Sequence, residues 1–274
     1  MFDTVIEMLS YPFMTRAFLV GSLVALCSAL LGVSLVLKRY SMIGDGLSHV
    51  GFGAMAIAAA MNAAPLTVAI PVVIVAAILL LRISGNAKIK GDAAIALIST
   101  TSLAVGVMVI SLTTGMNTDV YNYMFGSILA MSADDVKLSL VLSVFVLILF
   151  IVFYHKIFAI TFDETFARAT GVKAGVYNTL IAVLTAVTIV LGMRMMGALL
   201  ISSLIIFPAL TSMRVCRTFK SVIINAAIVS VVCLIAGVTL SYVAATPAGA
   251  SVVLANLVMM VLYTVVGAVK NHMR

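Results

Sequence analysis

The sequence predicts an all-α membrane protein that crosses the bilayer eight or nine times. Hydrophobic residues make up 64% of its 274 residues and charged residues only 9%, which is more apolar surface than a water-soluble core could hide. The apolar residues form long runs, and a helix needs about 20 such residues to cross about 30 Å of hydrocarbon. Because no polar linker or low-complexity block interrupts the chain, we expect a single transmembrane domain over residues 1–274.

Nine apolar segments are candidate spans. The seventh follows the sixth almost without a connection, so it is either a full span or a partial helix that dips into the membrane, and a count of eight is the alternative. Arg16 is the first basic residue, so a cleavable signal peptide is not indicated and the first span is expected to be retained. The segments cover residues 17–37, 46–62, 66–82, 92–115, 136–154, 175–193, 197–213, 221–243 and 250–269.

Basic residues lie in every second connection, with Arg194 as the exception. Cytoplasmic loops carry an excess of Lys and Arg, so nine crossings would place the N-terminus outside and the C-terminus in the cytoplasm. The net charge of +7 is therefore an orientation signal, and the lipid bilayer rather than nucleic acid is the expected partner. The residues that give the pattern are Lys38, Arg39, Arg82, Lys88, Lys90, Lys156, Arg168, Lys173, Arg214, Arg217, Lys220, Lys270 and Arg274.

An aspartate and a histidine stand four residues apart at the start of the second apolar segment, in KRYSMIGDGLSHVGFGAMAI (residues 38–57). On a helix Asp45 and His49 would share one face, about 5–6 Å apart at their Cβ atoms, and could reach one ion. Carboxylate and imidazole suit a first-row divalent cation without choosing among zinc, manganese and iron. The alternative is structural: Asp45 caps a helix that starts after Gly44, and His49 is hydrogen-bonded in the interior.

The position of this pair in the membrane favours the metal site. Ionisable residues inside spans are costly and commonly line a substrate path, and His49 is the only one of three histidines inside a predicted span. The small neighbours of the pair allow close helix approach or a water-accessible lining. They are Gly46, Ser48, Gly51 and Gly53.

The longest polar connection on the predicted cytoplasmic side is residues 155–175. Its centre, FDETFARATGV, is typical of a short helix with Asp163 and Glu164 near its start, Arg168 one turn later and Gly171 at its end. An ordinary amphipathic loop helix is the simpler interpretation, although a long connection with its own structure is often functional.

No nucleotide-binding or hydrolase signature accompanies these features. The chain has no G-x-x-x-x-G-K-[ST], H-E-x-x-H or G-x-S-x-G pattern. We therefore expect a transport subunit rather than an enzyme, and any ATP that drives it must be hydrolysed by another subunit.

Four stretches in order, LVLKRYSMIGDGLSH, FDETFARATGV, VLGMRMMGALLISSLIIFPALTSMR and TPAGASVVLANLVMMVL, resemble the membrane permease of the ABC-3 family, which imports zinc, manganese or iron. The resemblance runs over nearly the whole chain. It implies a type II ABC importer in a prokaryotic plasma membrane, with two permease copies, two cytoplasmic ATPases and an extracellular solute-binding protein. It also implies a transported divalent metal, zinc or manganese and possibly iron, and no permanently bound cofactor.

The resemblance also implies roles for particular residues. Asp45 and His49 would be the intramembrane metal ligands. The short helix would dock in a groove of the ATPase through Asp163, Glu164, Ala167, Arg168 and Gly171.

The chain departs from the family pattern in two places. Family members often carry an acidic residue shortly before the late P-x-G, where this chain has Thr246, and many manganese-type relatives have a proline soon after the SH, where this chain reads SHVGFGA. The second departure favours zinc. A secondary ion-coupled transporter, an intramembrane metalloprotease and a permease for chelated iron remain alternatives, although the chain lacks the repeats of the first and the fuller ligand set of the second.

Overall fold

A computed structural model describes residues 10–84, 91–113, 124, 126, 132–198 and 201–272. Within these ranges the chain forms eleven α-helices joined by turns. They are α1 Pro12–Leu37, α2 Ile43–Ala60, α3 Pro65–Ser84, α4 Gly91–Leu112, α5 Ala133–Val152, α6 Tyr154–Phe162, α7 Glu164–Ala169, α8 Ala174–Met196, α9 Ile201–Met213, α10 Phe219–Ala244 and α11 Ala248–His272.

Eight of the described helices are long and apolar enough to cross a membrane. They are all of the helices except α6, α7 and α9. Helix α9 has only 13 residues and therefore a length of about 20 Å, less than the hydrocarbon thickness of about 30 Å. Eight of the described helices therefore meet the length criterion, and α9 is the short segment whose full crossing the sequence leaves open.

Helices α1, α2 and α8 form the centre of the bundle. Their apolar windows are 67%, 78% and 67% buried, against 22% for α5 and 17% for α11. Helix α2 packs mainly on α4 and α3, α8 on α3 and α1, and α10 on α11 and α1. The candidate metal ligands therefore lie on the most enclosed helix.

Two polar contacts lie at opposite ends of the bundle, and we name the ends after them the Lys38 end and the Arg194 end. At the Lys38 end, Lys38 after α1 contacts Glu164 of α7 and Asn178 of α8. At the Arg194 end, Arg194 near the end of α8 pairs with Asp135 at the start of α5.

Helix α9 takes part in returning the chain from the Arg194 end to the Lys38 end. The α8 helix finishes at the Arg194 end, whereas Phe219 at the start of α10 packs against Phe158 of α6 at a ring-centroid distance of 5.2 Å. A Cβ on Gly32 of α1 would lie 2.0 Å from the backbone oxygen of Ile205, so glycine is required for α9 to lie against α1. The chain direction thus alternates as nine passages would make it, although only eight of the described helices are long enough to span the membrane.

The structure explains why Arg194 breaks the predicted charge pattern. Its side chain is 11% exposed and pairs at 2.8 Å with Asp135, which is 17% exposed. Asp135 also completes a capping box with Ser132 at the start of α5. Because Arg194 is neutralised within the bundle, it is not a free basic residue of a loop. Other residues of the pattern, Lys88, Lys90 and Arg274, lie outside the described residues.

Cysteine labelling tests which end is cytoplasmic. In a background with the three native cysteines replaced, Ala64→Cys, in the α2–α3 connection, should react with an impermeant maleimide from outside. Thr170→Cys, after α7, should react only once the membrane is opened. Both sites are exposed. The reverse pattern would overturn the predicted orientation.

Candidate functional site

Helix α2 begins before Asp45. The residue preceding the helix is Met42, and Ile43 is its first residue. Asp45 therefore stands in the first turn, where a negative charge interacts favourably with the helix dipole, and it does not cap a helix starting after Gly44. That part of the structural alternative is wrong.

The structure brings Asp45 and His49 together on one face of α2. Asp45 Oδ2 lies 3.7 Å from His49 Nε2, with 40% of the aspartate side chain and 11% of the histidine side chain exposed. This separation is too long for a direct hydrogen bond. His49 Nδ1 is also buried without a hydrogen-bond partner among the described residues, so the hydrogen-bonded interior histidine of the alternative interpretation is not seen there.

The spacing of the two side chains suits a shared ion. Zinc binds imidazole nitrogen and carboxylate oxygen at about 2.0–2.2 Å in a tetrahedral arrangement, which separates neighbouring ligand atoms by about 3.4 Å. The observed distance of 3.7 Å between Asp45 Oδ2 and His49 Nε2 is close to that ligand–ligand distance. No group of three or more His, Cys, Asp or Glu side chains occurs among the described residues, so the pair supplies only two ligands.

Glycines hold neighbouring helices close to the pair, as the sequence predicted. A Cβ on Gly46 would lie 2.6 Å from Ile95 of α4, and one on Gly53 would lie 2.7 Å from a backbone oxygen of the same helix. On another face, a Cβ on Gly51 would lie 2.6 Å from the sulfur of Met193 in α8. Neighbours on two sides therefore fix α2, and with it the position of Asp45 and His49.

The connection 155–175 contains two helices rather than one. The chain leaves α6 at Asp163, which has an extended backbone and accepts a hydrogen bond from Phe166 N at 2.8 Å as the N-cap of α7. Ala167 is fully buried. The short helix predicted from the sequence is thus α7, and the preceding helix α6 was not predicted.

Gly171 ends this short helix as predicted. Its φ of 84° lies in the left-handed region that favours glycine. Its N–H donates to Arg168 O at 3.0 Å and Val172 N donates to Ala167 O at 2.9 Å, the two bonds of a Schellman motif.

Glu164 is directed into the protein rather than away from it. Its carboxylate accepts hydrogen bonds from Lys38, at 3.3 Å, from Asn178, at 3.0 Å, and from Arg168. Burial alone would raise the pKa of Glu164, but the hydrogen bonds from Asn178 and Arg168 and the charge of Lys38 outweigh it and hold that pKa below its ordinary value. Glu164 is thus an internal anchor that remains ionised at neutral pH.

The outward face of the connection is aromatic and basic. Phe166 is 65% exposed and Phe162 59% exposed, and the side chain of Arg168 is 65% exposed. These three side chains are available to another protein. Of the three, only Arg168 belongs to the set of residues that the family resemblance assigns to the ATPase contact. The contacts of Glu164 with Lys38 and Asn178 were also missed. They lie 126 and 14 residues from Glu164 in sequence, and no local spacing pattern links either of them to it.

A comparison with known protein families identifies the family to which this chain belongs. The model of the ABC 3 transport family matches residues 10–267. The chain belongs to the ABC 3 transport family. This membership confirms the resemblance and favours the permease interpretation over a secondary transporter or an intramembrane protease.

The names of two relatives of this chain specify different metals. The chain is 31% identical over 246 residues to the high-affinity zinc uptake system membrane protein ZnuB of Haemophilus influenzae, covering 90% of this chain and 94% of the relative. It is 28% identical over 248 residues to the manganese transport system membrane protein MntC of Halalkalibacterium halodurans, covering 90% and 85%. Among solved structures, PsaBC from Streptococcus pneumoniae in complex with Fab superposes with a TM-score of 0.86 at 26% identity, covering 95% of this chain and 94% of the other.

Proposed function

We propose that this chain is the membrane permease subunit of an ATP-driven importer of a divalent transition-metal ion, zinc or manganese. The observation that carries the proposal is the Asp45 and His49 pair, 3.7 Å apart on the most enclosed helix of the bundle. Oxygen and imidazole ligands suit these cations. The zinc and manganese names of the two relatives support the same substrate class.

Two copies of the chain would complete the site. The described part of one chain offers two ligands, and tetrahedral zinc requires four. The Asp45 side chain is 40% exposed, so it is accessible to a second subunit. A two-fold axis beside Asp45 would bring two identical pairs to one ion, and the ion would be held only while the two permeases present both pairs.

The energy would come from a separate ATPase that docks at the Lys38 end. There Phe162, Phe166 and Arg168 present an exposed surface, while buried Ala167 holds α7 against the bundle. An extracellular solute-binding protein would deliver the ion at the Arg194 end. Closure of the ATPase pair would then move residues 160–172 and switch the opening of each permease in the plasma membrane of a prokaryote.

Chelated iron is the second candidate substrate. A chelate already fills the coordination sphere of its metal, so the transporter would not need its own ligands in the membrane. Asp45 and His49 therefore favour a bare ion. Bare ferrous iron fits the same ligands and remains within the substrate class.

Competition uptake by the complete transporter tests the substrate. Proteoliposomes containing the permease, its ATPase and its binding protein are given radioactive zinc with excess unlabelled zinc, manganese, ferrous iron or a ferric chelate. We expect uptake that requires ATP and is suppressed by zinc or manganese but not by the chelate. Uptake without ATP, or suppression by the chelate alone, would contradict the proposal.

A further inference from the structure

The partly buried ammonium group of Lys38 joins four helices at one end of the bundle. Lys38 is the C-cap residue that follows α1. Its Nζ donates to Ile160 O of α6 at 3.2 Å, to Glu164 Oε2 of α7 at 3.3 Å and to Asn178 Oδ1 of α8 at 2.6 Å. An ammonium group has three N–H donors, and three acceptors surround it here. The Lys38 side chain is only 10% exposed.

The partners of Lys38 also bind one another. Asn178 donates to the same oxygen of Glu164 at 3.0 Å, so lysine, glutamate and asparagine form a closed triangle. Burial lowers the pKa of Lys38, and the Glu164 charge opposes that shift. A partly buried network in which every member is paired holds its geometry better than a single exposed ion pair.

The backbone continues from Lys38 into α2 through a hydrogen-bonded turn. Arg39 N donates to Val36 O at 3.1 Å, Tyr40 N to Leu35 O at 2.8 Å and Ile43 N to Tyr40 O at 3.0 Å. Asp45 follows in the first turn of α2. Because the turn is fixed to both helices, a displacement of Lys38 displaces the start of α2.

We propose that Lys38 is a positioning residue that makes α7 and the α1–α2 turn move as one body. Through it, movement imposed on α7 by the ATPase reaches Asp45 and His49. The proposal rests on the proposed function for its transport consequence. The rigid connection between α7 and α2 itself does not depend on which substrate is carried.

Coupling efficiency in the complete transporter is the first test. Lys38→Met keeps the length of the side chain and removes its donors, and we expect at least a tenfold fall in metal ions transported per ATP hydrolysed, with metal binding retained. Lys38→Arg, which keeps charge and donors, should recover a substantial part of that ratio. Lys220→Met is the matched control, since Lys220 is an exposed lysine at the same end, and its ratio should equal that of the wild type.

A double-mutant cycle separates coupling from simple destabilisation. If Lys38 acts through Glu164, then Lys38→Met combined with Glu164→Gln should lower the transport ratio no further than either change alone. Additive losses, or a normal ratio in Lys38→Met, would overturn the proposal.

A distance measurement tests the connection without any transport. Spin labels at Met42→Cys and Ala169→Cys, both exposed positions, should give one narrow distance in the ATP-bound and nucleotide-free complex. With Lys38→Met that distance should broaden or differ between the two states. If Lys38→Met does not assemble, Glu164→Gln serves in the same measurement. If the distance between the two labels stays narrow and unchanged in Lys38→Met, the positioning role of Lys38 is rejected, whether or not the proposed metal site is correct. If that distance broadens, the role of Lys38 is supported, whichever substrate the transporter carries.

Discussion

Replacing His49 by alanine, or Asp45 by alanine, is expected to abolish metal uptake. In the proposed site each chain contributes two ligands, and among the described residues no third His, Cys, Asp or Glu joins them. Loss of a partner that only supports a ligand commonly costs 10-fold to 100-fold in metal affinity or activity, so loss of a ligand should cost more than about 100-fold. Uptake of radioactive zinc and manganese by proteoliposomes containing the complete transporter measures the effect.

Two further variants distinguish a ligand from a packing residue. His49→Gln keeps a polar side chain in the buried position but removes the imidazole, so it should be as inactive as His49→Ala while the complex assembles normally. Asp134→Ala removes a carboxylate that is 93% exposed and should leave uptake unchanged. Uptake at the wild-type rate in His49→Gln or Asp45→Ala would show that these residues are not ligands.

Metal content of the purified complex tests the shared site. The proposed two-fold arrangement predicts one ion per permease pair and none in either alanine variant. Two ions per pair, one in each subunit, would contradict sharing while leaving the role of Asp45 and His49 intact.

The spans could be predicted from the sequence because crossing a bilayer requires long apolar runs. Predicted and observed bounds differ by a few residues, as for 221–243 against Phe219–Ala244. The N-terminal bound of the first helix differs more, 17 against Pro12, since Pro12 at its first turn needs no backbone donor and hydropathy does not register that. The sequence leaves open whether the segment that forms α9 crosses the membrane, because the length of a short apolar run does not determine whether it reaches the other side.

The sequence predicts only those parts of the candidate site whose residues are close together in the chain. Asp45 and His49 lie one helical turn apart, so a spacing of four residues is enough to place them on one face. The helix breaks at Asp163 because its side chain caps the next helix. Such a cap competes with an uninterrupted helix through 160–169, and residue types alone do not show which of the two forms. The Lys38 and Glu164 contact spans 126 residues of sequence, and from the sequence alone Lys38 indicates only the membrane orientation.

Glycine is favoured at position 171 by its backbone conformation and not by a lack of space for a side chain. Its φ is 84°, and a Cβ built on it would meet no atom within 4 Å, so a larger side chain fits. A left-handed backbone nevertheless costs about 1–2 kcal/mol for most L-residues, and a β-branched residue there is a clear outlier.

Gly171→Val is therefore expected to unfold the end of α7 and uncouple the transporter. Loss of the left-handed turn removes the bonds from Gly171 N to Arg168 O and from Val172 N to Ala167 O, which fix the last turn of a helix of only six residues. We expect at least a tenfold fall in transport and in the ATPase activity that the binding protein stimulates, while metal still binds at Asp45 and His49. Gly171→Asn is the matched control, because asparagine tolerates this backbone and should retain most of the activity. If α7 is only a solvated loop helix, the valine and asparagine variants will assemble with the ATPase and transport equally well, and residues 160–172 will have no part in coupling.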